Sequence, residues 1–292
     1  MSDFHAEPTQ ILENRFMQLE VLMNSARIVR FSSKGRTNLF ADVGSSAIET
    51  PHGNFLLRGG HRLWHAPEAM PRTYIPDNEG ALFKAIPNGA RLDMPAEPWT
   101  QIAKSIEITF NPDQPQVTIR HELRNEGAWP VEFAAWGITM LRLGGVAIFP
   151  QPQDAMDEAG LLPNRQLSLW PYSKIDDPRL RLRDDYLIVR PTPDLLPFKF
   201  GYFNPYGWMG YWLDGTLFIK RFDVIPDSPY PDHNCNTECY FNQKFIELES
   251  LSPLCLISPS KSLVHVELWE VYDRLNVPFI PEQIQALVES MA

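Results

Sequence analysis

Twenty-seven prolines are spread over the whole length of this 292-residue chain. Proline has no backbone N–H to donate, and its ring collides with the preceding helical turn, so helix interiors and central strands tolerate it poorly. A helical bundle is therefore excluded, and many short strands joined by loops are expected. The apolar pattern agrees. Strand-length runs occur at Phe16–Met23, Arg27–Phe31, Asn54–Leu57, Ala81–Ile86, Ser105–Phe110, Gln116–Leu123, Val131–Leu143, Gly145–Phe149, Leu187–Arg190, Tyr211–Phe222, Lys244–Leu251 and Ser262–Tyr272. Turn-forming clusters separate them, among them NPDQP at 111–115, LDG at 213–215 and SPSK at 258–261. Residues 1–14 read as a loose lead-in, and DAMDEAGLL near 154–162 as a short helical piece. The last element, 281–291, reads as a helix with Ile284, Leu287, Val288 and Met291 on one face. The expectation is one all-β domain over 1–292 closed by a short C-terminal helix.

With 44% apolar residues the chain can bury a large core. Its net charge of −10 argues against nucleic acid and against an anionic membrane surface, both of which are bound by a lysine and arginine surplus. No apolar run approaches the ~20 residues that span a bilayer. The acidic start, MSDFHAEPTQILENRF, lacks the basic and apolar regions of a signal peptide. Three cysteines do not make a disulfide framework. A cytoplasmic protein with no nucleic-acid or membrane partner is expected, its oligomeric state left open.

Chemistry-bearing residues concentrate in two stretches. GGHRLWHAPE at 59–68 brings His61, Arg62, Trp64, His65 and Glu68 behind two glycines. A guanidinium can grip vicinal hydroxyls or a carboxylate, an indole face attracts the C–H face of a pyranose, and an imidazole shuttles protons near neutrality. A plain loop with Trp64 in the core is the competing reading. In HNCNTECYFNQKFIELESLSP at 233–253, strand alternation puts Phe245, Glu247 and Glu249 on one face. Two carboxylates sharing a buried face push one pKa up or call for a cation, which is a route to a general base. His233, Cys235 and Cys239 have no well-attested zinc spacing, so no metal is expected. RLRLR at 179–183 reads as a half-solvated strand, and the aromatic FGYFNPYGWMGYW at 200–212 as core. No phosphate loop, dinucleotide fingerprint or G-x-S-x-G elbow occurs, and no cofactor is expected.

Three segments resemble the galactose mutarotase-like superfamily, which includes the aldose 1-epimerases. VLMNSARIVRFSSKGRTNLFAD at 21–42 is similar to its opening hairpin. GGHRLWHAPE is similar to a Gly-Gly-His-Arg-Leu-Trp segment of one branch, and FIELESLSPLCLISPSKSLVHVELWEVY at 245–272 to its closing strands. The resemblance implies a β-supersandwich with a sugar lying across one concave sheet. It also implies a cofactor-free reaction in which a glutamate deprotonates the anomeric hydroxyl while a histidine protonates the ring oxygen. Carried over, Glu249 matches the base, Glu247 stands next to it, and Arg62 matches the substrate-gripping arginine. The family's two usual histidines are missing, one where YIPDNEGALFK stands and one near Trp136. The acid is therefore expected from His61 or His65, with His265 a further candidate. Arg62, Trp64, Glu247, Glu238 and Trp136 are expected to bind substrate. The alternative is a binding module for a sugar or uronate without catalysis. Lyase chemistry on a uronic acid is a third, weaker reading.

Overall fold

The computed structural model describes residues 2–275. Two antiparallel sheets face one another. In the first, the strand order is Ser2–Phe4, Glu7–Glu13, Met17–Leu22, Ile28–Ser33, Gly53–Ala66, Val131–Arg142, Phe245–Leu251, Thr237–Phe241, Phe198–Tyr202 and Ser168–Leu169. Asp42–Thr50 and Cys255–Ile257 pair alongside two of these strands. The second sheet runs Leu180–Leu182, Tyr186–Val189, Val146–Pro150, Trp208–Leu213, Thr216–Phe222, Ser262–Tyr272, Gln116–Asn125, Ile102–Phe110, Gly89–Asp93 and Leu82–Ile86.

Period-two alternation in each strand sends one set of side chains between the sheets and the other outward. The core between the sheets draws Leu19 and Phe31, Leu63, Phe133 and Leu248 from the first, and Ile106, Ile119, Phe218 and Trp269 from the second. The aromatic 200–212 segment feeds this core as expected, with Phe200, Tyr202, Met209 and Tyr211 all in it. Its two halves serve different sheets, however, Phe198–Tyr202 the first and Trp208–Leu213 the second.

Several expectations change. The lead-in at 1–14 carries two strands, Ser2–Phe4 and Glu7–Glu13, and Thr9, Ile11 and Leu12 register with Leu22, Glu20 and Leu19 of the next strand. A polar strand at a sheet edge has too little apolar alternation to announce itself. No helix forms at 154–162. The helix expected at 281–291 lies outside the described residues. Among the described residues no helix is long and apolar enough to cross a membrane. RLRLR supplies the edge strand Leu180–Leu182, largely solvated as expected, while Arg179 turns inward onto Asp177 and the Phe241 ring.

GGHRLWHAPE is strand, not loop, up to Ala66. Gly59 and Gly60 have φ of 98° and 67°. A Cβ on Gly59 would stand 2.0 Å from the Ala41 carbonyl oxygen, and one on Gly60 2.1 Å from that of Ile28. The pair marks the place where this 14-residue strand leaves Asp42–Thr50 and takes up Ile28 and Val131–Arg142 as neighbours. That switch aims the four residues after it.

Candidate functional site

From Gly60 on, alternation puts Arg62 and Trp64 on the outer face of the first sheet and His61, Leu63 and His65 on the inner face. Register then assembles the site. Ile138 is opposite both Arg62 and Glu249, Trp136 is opposite Trp64, Glu238 is opposite Glu249, and Tyr240 is opposite Glu247. The outer face therefore unites Arg62, Trp64, Trp136, Glu238, Glu247 and Glu249, contributed by four adjacent strands. Arg62 and Glu247, 185 positions apart in the chain, thus meet.

The charges interlock. Arg62 Nη1 donates to Glu247 Oε1 at 2.9 Å, and its guanidinium lies 4.2 Å from the centre of the Trp64 ring. Lys199 Nζ is 2.7 Å from Glu238 Oε2 and 3.0 Å from Glu249 Oε2, with the Trp136 and Trp170 rings at 4.5 and 4.6 Å. Trp136 Nε1 donates to the same Glu249 oxygen at 2.9 Å. Gly201, opposite Glu238, makes this possible, because a Cβ there would stand 2.8 Å from Cys235 Sγ and 3.0 Å from Glu238 Cγ.

All five charged groups are buried, so three carboxyls share two cations away from water. Burial drives the Glu238 pKa well above the ordinary carboxyl range; Lys199 opposes the rise and Glu249 reinforces it. Glu247 is raised as well, by burial and Glu249 against the pull of Arg62. For Lys199, burial disfavours the charge, but Glu238 and Glu249 outweigh it and hold the pKa well above that of a free lysine. For Glu238 and Lys199 alike, the shift favours the protonated form. Glu249 Oε1, Glu238 Oε1, Arg62 Nε and Trp64 Nε1 have no hydrogen-bond partner in the protein. These four polar atoms lie on one buried face, where an unpaired polar group is costly. Next to it, a cavity of about 340 Å³ opens between Arg62, Trp64, Tyr74, Tyr240 and the 242–245 turn.

His61 and His65 do not join this site. Both point to the inner face, as does His265 on the second sheet, so none can act on the same substrate as Glu249. His61 Nε2 meets His121 Nε2 at 2.7 Å, and its Nδ1 meets Thr139 Oγ1 at 2.9 Å. Lys220 Nζ donates to Gly137 O, Leu248 O and Thr139 Oγ1, and pairs with Glu267 Oε1 at 2.9 Å. Glu267 also accepts from Ser250 Oγ and Trp269 Nε1. His61, His121 and Glu267 offer ligand atoms within 4.8 Å of one another, a spacing a metal could use. The Lys220 ammonium already supplies the balancing positive charge, and the hydrogen bonds account for the arrangement without an ion. Burial lowers the pKa of all three histidines, His265 to about 3. His65 lies further along, against Glu97 and Arg72. Cys235 and Cys239 are buried free thiols, and Cys239 belongs to the core between the sheets.

Lys199 and Trp170 are the components that sequence reasoning missed. A signal for Lys199 existed in PFKFGYF: a lysine between two phenylalanines on a strand must face away from whatever the phenylalanines bury. Trp170, in an irregular segment, gave none.

No protein-family model matches the sequence, and neither does the sequence of any curated protein. Solved structures do match in fold. A galactose mutarotase-like protein from Lactobacillus casei superposes with a TM-score of 0.54 at 10% identity, over 91% of this chain and 100% of its own. A galactose mutarotase related enzyme from Lactobacillus acidophilus gives 0.58 at 7% identity, over 94% and 100%. A TPR-domain containing protein from Parabacteroides distasonis gives 0.65 at 12% identity over 94% of this chain, which spans about half (49%) of that longer protein. The chain thus has the galactose mutarotase-like β-sandwich fold.

Proposed function

We propose that the outer face of the first sheet binds a carbohydrate and interconverts its anomers by paired carboxyl catalysis. In this reading Glu249 takes the proton from the O1 hydroxyl and Glu238 gives one to the ring oxygen. The C1–O5 bond breaks as the C1 carbonyl forms, C1–C2 rotates, and the reverse transfers close the other anomer. The observation that carries the reading is the Glu238–Lys199–Glu249 bridge, in which two carboxyls in register share one ammonium and burial raises the pKa of Glu238. The pair replaces the missing histidines. Arg62 grips hydroxyls and the Trp64 indole packs against the ring. The name of the Lactobacillus casei neighbour points to the same substrate class.

Glu249 is 1% exposed, and Trp170 covers Lys199 from the strand edge. Entry of a sugar therefore requires the segment carrying Trp170 to swing aside. The same closure favours a second reading, a sugar or uronate binder in which Lys199 neutralises both carboxyls and no turnover follows. Polarimetry of freshly dissolved α-glucose, α-galactose and their uronates separates the two. Catalysis gives relaxation faster than buffer that Glu249→Gln abolishes. Rates equal to buffer for every sugar, together with sugar-dependent thermal stabilisation lost in Arg62→Ala, establish the binder.

A further inference from the structure

We propose that a second cleft, between the 71–75 segment and the loop carrying Trp99, binds a small aromatic carboxylate independently of the Arg62–Glu249 face. The cleft has a volume of about 260 Å³, room for one or two fused rings. Its floor is apolar, formed by Ile75, Ile102 and Phe133, all almost fully buried. Its wall is Trp99, which is 65% exposed yet braced, its ring stacked on His52 at 4.2 Å with the planes 21° apart. An indole held flat at the mouth of an apolar cleft is a stacking platform.

The charge in the cleft selects the ligand. Glu97, beneath it, is already matched. Lys104 pairs with it, His65 Nε2 lies 3.3 Å from Oε2, and Thr100 Oγ1 donates to it. Burial opposes ionisation of Glu97, but Lys104 and His65 outweigh it and pull its pKa down to about 2. Arg72, half-buried on the cleft wall, donates to Pro67 O and faces His65 Nδ1 at 3.2 Å. Among the described residues no carboxylate forms an ion pair with it. A guanidinium holds a carboxylate through paired donors, so an anionic group is drawn to Arg72. A sugar fits poorly, because its hydroxyls would be stranded against Ile102 and Phe133. A flat apolar ring carrying one carboxylate satisfies the floor, the platform and the cation together.

The test titrates indole-3-acetate and benzoate into the full chain, read by isothermal calorimetry and by amide chemical shifts. Saturable binding with Kd on the order of 1 mM or tighter is expected. Indole-3-acetamide, which lacks the charge, should bind at least ~10-fold more weakly to the same protein. Trp99→Ala, a change at an exposed residue, and Arg72→Met should each weaken indole-3-acetate at least ~10-fold. Glu249→Gln should leave it unchanged, which separates this site from the carbohydrate site whatever becomes of that reading. Absence of saturation up to about 10 mM, equal affinity for the amide, or undiminished binding by Trp99→Ala overturns the proposal.

Discussion

Replacing His265 with glutamine should flatten the acid limb of the protein's stability. The hydrogen-bond partners fix the protonation of the interior network. His121 Nδ1 must donate to the His265 carbonyl, so its Nε2 accepts from His61 Nε2–H, and His61 Nδ1 accepts from Thr139. Ser250 donates to Glu267 and so accepts from His265 Nε2–H. Every imidazole in this network is neutral; a second proton on His121 would set two N–H groups against each other, and one on His61 Nδ1 would face the Thr139 O–H. Burial holds the folded-state pKa of His265 at about 3, against about 6.5 in the unfolded chain. A lowered histidine pKa means that the unfolded state binds the proton first, so stability falls as pH drops below about 6.5. For one such group the loss between pH 6 and pH 4 is about 2.5 kcal/mol. Glu238 and Glu247, with raised pKa values, bind protons in the folded state and partly mask the slope, so the test is a difference. Urea unfolding of wild type and His265→Gln at a series of pH values should give curves that converge by about 2.5 kcal/mol from pH 6 to pH 4. Parallel curves would refute the assignment of a buried neutral imidazole.

Glu249→Gln should lower anomer interconversion at least ~10²-fold with little change in fold, measured by polarimetry. Glu238→Gln should gain stability relative to wild type as pH rises above about 4.5, since a raised carboxyl pKa contributes stability below about 4.5 that is lost as pH climbs through the folded-state value. The same change removes the general acid and should lower anomer interconversion at least ~10²-fold by polarimetry. Lys199→Met leaves Glu238 and Glu249 facing one another without a cation and should cost about 3–5 kcal/mol in urea unfolding. Gly137→Ala should destabilise by about 1–3 kcal/mol or more, because its Cβ would stand 2.2 Å from Glu267 Oε1; an unchanged midpoint would show that Glu267 can give way.

The strands easiest to read in the sequence were those with one apolar and one polar face. Ser262–Tyr272 matches its expected bounds, and Gln116–Leu123 extends by only two residues. Ser2–Phe4, Glu7–Glu13 and Asp42–Thr50 escaped because edge and hairpin strands carry little apolar alternation. The candidate site was half legible. The Glu247/Glu249 spacing and the Arg62–Trp64 pair followed from period two, and both face outward. The histidines misled for the same reason: His61 and His65 are odd-numbered neighbours of Arg62 and Trp64, so one strand cannot present all four to one ligand. The strand expected at Asn54–Leu57 stopped short of GGHRLWHAPE, and that hid the constraint. Lys199 was knowable from its flanking phenylalanines, whereas the cover by Trp170 depends on a proline-bearing segment with no periodicity.

The protonation of Glu238 beside Glu249 is measurable directly by carbon-detected NMR of the glutamate side-chain carboxyls across pH 5–9. One glutamate is expected to titrate well above the ordinary carboxyl range, and Glu238→Gln should remove that resonance. If every glutamate carboxyl titrates in the ordinary range near about 4.3, the face holds no acid to pair with Glu249, and the carboxyl-pair mechanism fails.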